Sequence, residues 1–142
     1  MFKKFKKAFT ITELVIVIAV IAILAAVLIP TFSTVIGKAN ESAAMQECRN
    51  EWTNMSVDVM AEENAPDGYM FKINKGGNDY YFVVVGSEFV TDPVTYNDEA
   101  KSVTYKDVSY SVATYDHAAE GAYQKANTAI TIYSLTDTSA TD

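Results

Sequence analysis

The chain has 142 residues, room for one small domain beside a long helix. Eleven basic side chains stand against 18 acidic ones, a net charge of −7, which argues against nucleic-acid binding by the globular surface. A single cysteine, Cys48, excludes an intrachain disulfide, and a single histidine, His117, leaves a zinc site or a Ser-His-Asp triad without company.

At the N-terminus, Lys3, Lys4, Lys6 and Lys7 form a basic patch directly ahead of an apolar run. Leu14 to Ile29 contains no polar side chain, and counted from Phe9 the stretch is about 21 residues, what a helix needs to cross a hydrocarbon core. The lysines hold the N-terminus on the cytoplasmic side, so the remainder is expected outside. One acid, Glu13, lies near the start of the run. A carboxylate there costs about 2.5–3.5 kcal/mol on insertion scales, which makes it a functional candidate in need of a partner. An ordinary secretory signal, cut near Ala25-Ala26, fits less well. The run is longer than a usual signal core and passes unbroken into an amphipathic helix.

The string Lys6-Lys7-Ala8-Phe9-Thr10-Ile11-Thr12-Glu13, running on to Ile29-Pro30, resembles the N-terminal signature of type IV pilins and of the pseudopilins of type II secretion and competence systems. In that family a basic leader ends in a small residue followed by Phe, a Glu lies four residues after the Phe, and the apolar helix carries a Pro. The resemblance implies a leader Met1–Ala8 and cleavage between Ala8 and Phe9 by a prepilin peptidase, with N-methylation of Phe9. It implies assembly through Phe9, Glu13 and Pro30. The family usually has Gly where this chain has Ala8, and Thr12 replaces a more usual apolar residue. After cleavage, Glu13 would pair with the Phe9 amine of its own or a neighbouring chain, a contact that sets registry because an unpaired acid in an apolar bundle is costly. The expected partners are copies of the chain or related pilins in a helical filament, the peptidase, an inner-membrane assembly platform and membrane lipid. No cofactor and no metal are implied. The lone Cys48 sets the chain apart from pilins that staple a C-terminal loop, and it looks more like the disulfide-free pilins of Gram-positive bacteria. Loss of the leader leaves 7 basic against 18 acidic side chains, a net −11.

Pro30 and Gly37 weaken the helix and predict a kink or local melting. Beyond them Phe32, Val35, Ile36, Ala39, Ala43, Cys48, Trp52, Met55 and Val59 recur at helical spacing. Lys38, Asn40, Glu41, Glu47, Arg49 and Glu51 read as the solvent face. One helix is expected from Thr10 to Glu63, about 80 Å long. Its second half packs on a sheet through Trp52, Met55 and Val59, with Cys48 as a small buried hydrophobe.

Asn64-Ala65-Pro66-Asp67-Gly68 is a stop and turn. Tyr69–Ile73 and Tyr80–Val85 then read as a hairpin around Gly76-Gly77. Ser102–Tyr105, Val108–Thr114 and Ala129–Leu135 read as further strands, with Lys106-Asp107 as a tight connection. Glu88–Ala100 reads as a loop, Asp116–Asn127 as a short helix or loop, and Thr136–Asp142 as a frayed tail. Thr91–Thr114 suits a sheet edge more than a core. Asp116-His117 reads as a solvated pair. Asp92, Asp98, Glu99 and Asp107 lack a diagnostic calcium-ligand spacing and read as solvated acids. The tyrosines read as strand formers that cover a small sheet.

The expected architecture is α+β: a long N-terminal helix on a small antiparallel sheet. Its parts are a leader 1–8, a membrane and assembly helix 9–30, an amphipathic continuation 31–63 and a sheet domain 64–142. The expected role is a non-catalytic pilin-like subunit, anchored in a bacterial plasma membrane and then carried into an extracellular filament. Two other readings remain: a pseudopilin of a secretion or DNA-uptake machine, and a signal-anchored surface protein whose acidic domain captures a partner.

Overall fold

A computed structural model describes residues 8–60, 62–119 and 122–139. Lys3, Lys4, Lys6 and Lys7, expected to belong to a leader, lie outside the described residues. Helix α1 runs Ile11–Val59, and seven strands follow: β1 Gly68–Lys75, β2 Asn78–Val85, β3 Glu88–Phe89, β4 Tyr96–Asn97, β5 Ser102–Tyr105, β6 Val108–Thr114 and β7 Thr131–Asp137. The chain divides into two compact units, up to Lys38 and from Ala39 onward.

In the first unit α1 passes through Pro30 and Gly37 without interruption, so the expected melting does not occur. Pro30 removes one N–H from a long ladder, a loss confined to one rung. Just past it, Thr31 Oγ1 donates to the Val27 carbonyl at 2.9 Å and Thr34 Oγ1 to the Pro30 carbonyl at 3.2 Å. These hydroxyls are satisfied by the helix itself, as suits an apolar setting.

In the second unit the buried stripe of α1 is Ala44, Cys48, Glu51, Trp52, Met55 and Val59. Cys48, Trp52, Met55 and Val59 were expected there; Ala39 and Ala43 are exposed instead, and Ala44 takes the buried position. The stripe packs on Tyr69, Phe71 and Ile73 of β1, Phe82 and Val84 of β2, and Ile132 of β7.

The strands form one antiparallel sheet in the order β3-β2-β1-β7-β6-β5-β4. Three of its hairpins turn in two residues, each with both φ values positive: Gly76 and Gly77 at 59° and 84°, Gly86 and Ser87 at 59° and 70°, Lys106 and Asp107 at 48° and 64°. Positive φ at both centres gives the turn whose twist matches that of the strands. A Cβ at Gly76 would also collide with the Asn40 amide. The last strand, β7, enters the middle of the sheet between β1 and β6. It extends beyond Leu135: Thr136 and Asp137 pair with Ser111 and Tyr110, and the Thr138 N–H and hydroxyl both donate to the Ser109 carbonyl. That part of the expected frayed tail is therefore tied down, while Ala140, Thr141 and Asp142 lie outside the described residues.

β3 and β4 are opposite edges of the sheet, yet few residues join them. Seven flat strands would set the edges about 29 Å apart. The step from Phe89 to Tyr96 reaches at most about 25 Å. The sheet must curl, and the connecting segment follows β2, with the Val90 N–H on the Val83 carbonyl and the Val94 N–H on the Tyr81 carbonyl. Curling encloses a second core of Met70, Val83, Val103, Tyr110 and Leu135, against which Val90, Val94, Tyr96 and Val112 pack. The stretch 91–114, expected to be edge and surface, thus contributes core residues. A curled sheet buries both faces, which is why Gly68 to Phe71 are buried without alternation.

Candidate assembly site on the N-terminal helix

Residues 8–10 precede the helix, and both Ala8 and Phe9 are exposed. The bond between them therefore lies in a non-helical, accessible segment. Thr10 caps the helix: the Glu13 N–H donates to its Oγ1 at 3.2 Å. In return Glu13 Oε2 accepts from the Thr10 N–H at 2.9 Å and from Thr10 Oγ1 at 3.0 Å. This is a reciprocal capping box, which satisfies backbone donors that a helix start otherwise leaves open. Among the described residues Oε1 of Glu13 takes no hydrogen bond, so one carboxylate oxygen stays available. The Thr-x-x-Glu spacing was present in the sequence; reading Glu13 only as a membrane charge hid its local partner.

Every large apolar side chain from Phe9 to Ile36 is at least 47% exposed. Contiguous apolar surface on this scale does not stay in water and marks a surface built for lipid or protein. The helix is also long and apolar enough to cross a membrane. Pro30 lies inside this exposed stretch, next to a groove lined by Leu28, Ile29, Phe32, Ser33 and Ile36.

A second polar centre lies in the other unit, on what was expected to be the solvent face of α1. Glu51 is 2% exposed. Its Oε1 accepts from the Tyr123 hydroxyl at 3.0 Å and the Ala126 N–H at 2.8 Å, and its Oε2 accepts from the Asn127 N–H at 3.1 Å. One turn earlier Glu47 bonds Lys75 Nζ at 2.5 Å and Asn127 Nδ2 at 3.1 Å. The Lys75 bond holds the Glu47 carboxyl below its usual value. Burial, then the hydrogen bond to Glu51, pushes the Tyr123 phenol up to about 12. Burial, with the charges of Glu47 and Glu51 behind it, pushes the Cys48 thiol up to about 12, so it has no thiolate character at neutral pH.

The two acids hold Tyr123, Ala126 and Asn127, and residues 115–119 and 122–130 form neither helix nor strand. Of the expected solvated pair, Asp116 is exposed, while His117 is half-buried in this loop packing. Its Nδ1 lies 2.8 Å from the Tyr123 carbonyl, and its ring packs edge-on to Tyr115 at 5.0 Å. The structure does not draw the acids of 92–107 together. Asp98 pairs with Lys101 at 2.7 Å, and among the described residues no three His, Cys, Asp or Glu side chains gather as a metal site.

A family described as the prokaryotic N-terminal methylation motif matches residues 3–29. No curated protein and no solved structure matches the chain. Matched residues, exposed apolar helix and capped acid agree: the chain carries over residues 3–29 the signature of type IV pilins and pseudopilins.

Proposed function

We propose that the chain is a structural subunit of a type IV pilus-like filament. A prepilin peptidase cuts the precursor between Ala8 and Phe9 and methylates the new Phe9 amine. Helix residues 9–30 then hold the subunit in the plasma membrane, with the sheet domain outside, until an assembly platform moves it into a filament of copies or related pilins. The observation that carries this reading is the methylation motif on a helical stretch, Phe9 to Ile36, that leaves all its large apolar side chains exposed. Such a helix is satisfied first by lipid and then by other helices of its own kind.

Thr10 and Glu13 both lie after the proposed cut, so the capping box survives cleavage. The box occupies Oε2 and leaves Oε1 for a cationic amine at Phe9. The acid is then partly satisfied while the subunit waits in the membrane and fully satisfied only where an amine meets it. That difference gives registry between subunits.

The mass and N-terminal sequence of the protein extracted from its native membrane test the processing step. A chain beginning at N-methyl-Phe9 is expected. A chain still beginning at Met1 would leave a signal-anchored protein, and a start beyond Ala25 would leave an ordinary secreted domain. Shearing of surface filaments, followed by detection of the subunit in the sheared fraction, separates a pilus from a machine that keeps its pseudopilin inside the envelope.

A further inference from the structure

In the second unit one face of α1 stays uncovered. At about 100° per residue, Gln46, Arg49, Asn50, Thr53, Val57 and Met60 fall together, opposite the stripe that packs on the sheet, and all of them are exposed. The acids of the same stretch, Glu41, Glu47, Glu51 and Asp58, fall outside this face, so Arg49 is its one charge. Among the described residues of the unit, Val57 and Met60 are the only large apolar side chains left exposed, at 77% and 63%. They stand at i and i+3 and so are neighbours on the helix surface. A surface poor in charge that combines arginine, methionine and an aliphatic side chain has the composition of an interface core.

Arg49 is also the unengaged cation of the unit. Lys72 pairs with Asp79, Lys75 with Glu47 and Lys101 with Asp98, Lys106 lies over the Tyr105 ring, and Lys125 donates to the Ile130 carbonyl. Among the described residues the Arg49 guanidinium has no hydrogen bond, ion pair or ring contact. Its planar fork suits a carboxylate. The chain itself supplies that complement. Asp92, Glu99 and Asp107 are exposed, and among the described residues their carboxylates take no hydrogen bond or ion pair. An anionic membrane surface fits less well, because it is held by several basic residues together and this face has one. Nor does the face suit its own image. Copies anchored by the same helix run parallel, and pairing their faces would bring Arg49 towards Arg49.

We propose that this helix face docks on the sheet domain of a second copy, with Arg49 paired to an exposed acid of that copy's 92–107 stretch and Val57 and Met60 covered beside it. The proposal rests on the reading of the chain as a filament subunit, since that reading sets the copies parallel. The contact joins unlike surfaces, so each added copy presents a fresh one and the array stays open.

The full chain with photoreactive p-benzoylphenylalanine in place of Thr53, which lies between Arg49 and Val57 on the face, would be irradiated in its native cells. The expected product is a dimer in which position 53 of one chain is joined to a peptide overlapping 92–107 of another. The same probe in place of Asn50 should give the same product, so that the result does not hang on one substitution. Arg49→Glu should lower the dimer yield about two- to tenfold, and Arg49→Lys, which keeps the charge, by less. No dimer from either probe, capture of a different protein, a dimer joined helix to helix, or an unchanged yield with Arg49→Glu would each overturn the proposal. Shearing the same cells separates this contact from the filament reading. Subunits recovered in sheared filaments without the crosslink overturn the contact alone, whereas the mapped dimer in cells that shed no filaments supports the contact and counts against a surface filament.

Discussion

The two halves of α1 are one helix built for two surroundings. From Phe9 to Ile36 every large apolar side chain is exposed, while Ala44, Cys48 and Met55 are buried completely. Helix propensity does not differ enough to explain this. What differs is patterning: the first half is apolar all round, and the second has an apolar stripe that a sheet can cover. The first half therefore contributes little to the folding of the chain in isolation. Its energy is realised only against lipid or other subunits. The second half holds the sheet domain together.

The sharpest way to break this comparison is at Glu13. Glu13→Ala should abolish incorporation into filaments while leaving the thermal unfolding of the sheet domain unchanged, measured on sheared filaments and by circular dichroism. Glu13→Gln refines the result, because an amide still serves a capping box but carries no charge. If Gln assembles normally, capping and not charge is what the filament needs. Next in size is a matched pair. Met55→Ala should destabilise the sheet domain by about 2–5 kcal/mol through the cavity it leaves. Ile21→Ala, which removes a side chain of similar bulk from the first half, should change the same unfolding free energy, measured by denaturant titration, by less than about 0.5 kcal/mol.

The regularly patterned parts were legible in the sequence. Ser102–Tyr105 and Val108–Thr114 match β5 and β6 to the residue, because alternation and a two-residue link leave one register. The methylation motif was legible too, since the lysine patch, Phe9 and Glu13 sit at informative spacings ahead of an apolar run. Glu51 was not. Periodicity assigns an acid to solvent, and this one meets partners 72, 75 and 76 residues away in a loop without a pattern. Nor was the curl of the sheet: β3 and β4 have two residues each, too short for alternation to register.

Glu51 offers the third test. Glu51→Ala would leave two backbone N–H groups and the Tyr123 hydroxyl without their acceptor, at a cost of about 3 kcal/mol. Limited proteolysis should then cut within 115–130 before the rest of the domain, whereas Ile21→Ala should leave that loop protected. The smallest effect is expected from the Glu47–Lys75 pair, in which each side chain is about one-third exposed. The Lys75 hydrogen bond holds the Glu47 pKa in the folded chain below its ordinary value of about 4.5. Its contribution is therefore present above about 4.5 and is lost as pH falls through the lower folded value. Glu47→Gln should cost about 0.2–1 kcal/mol at neutral pH, less in high salt, and close to nothing in strong acid. Thermal unfolding of the two proteins across that pH range measures it.

The curl of the sheet has one more consequence. A sheet normally ends in strands whose open backbone groups invite another chain to add on, the first step towards cross-β aggregation. Here the two edges, β3 and β4, are two residues long, and one continuous segment, containing Pro93, connects them. Little unpaired ladder is left for a neighbour to extend. A subunit proposed to work at the crowding of a fibre thus leaves its stickiness to the helix and offers neighbouring sheets almost nothing to join.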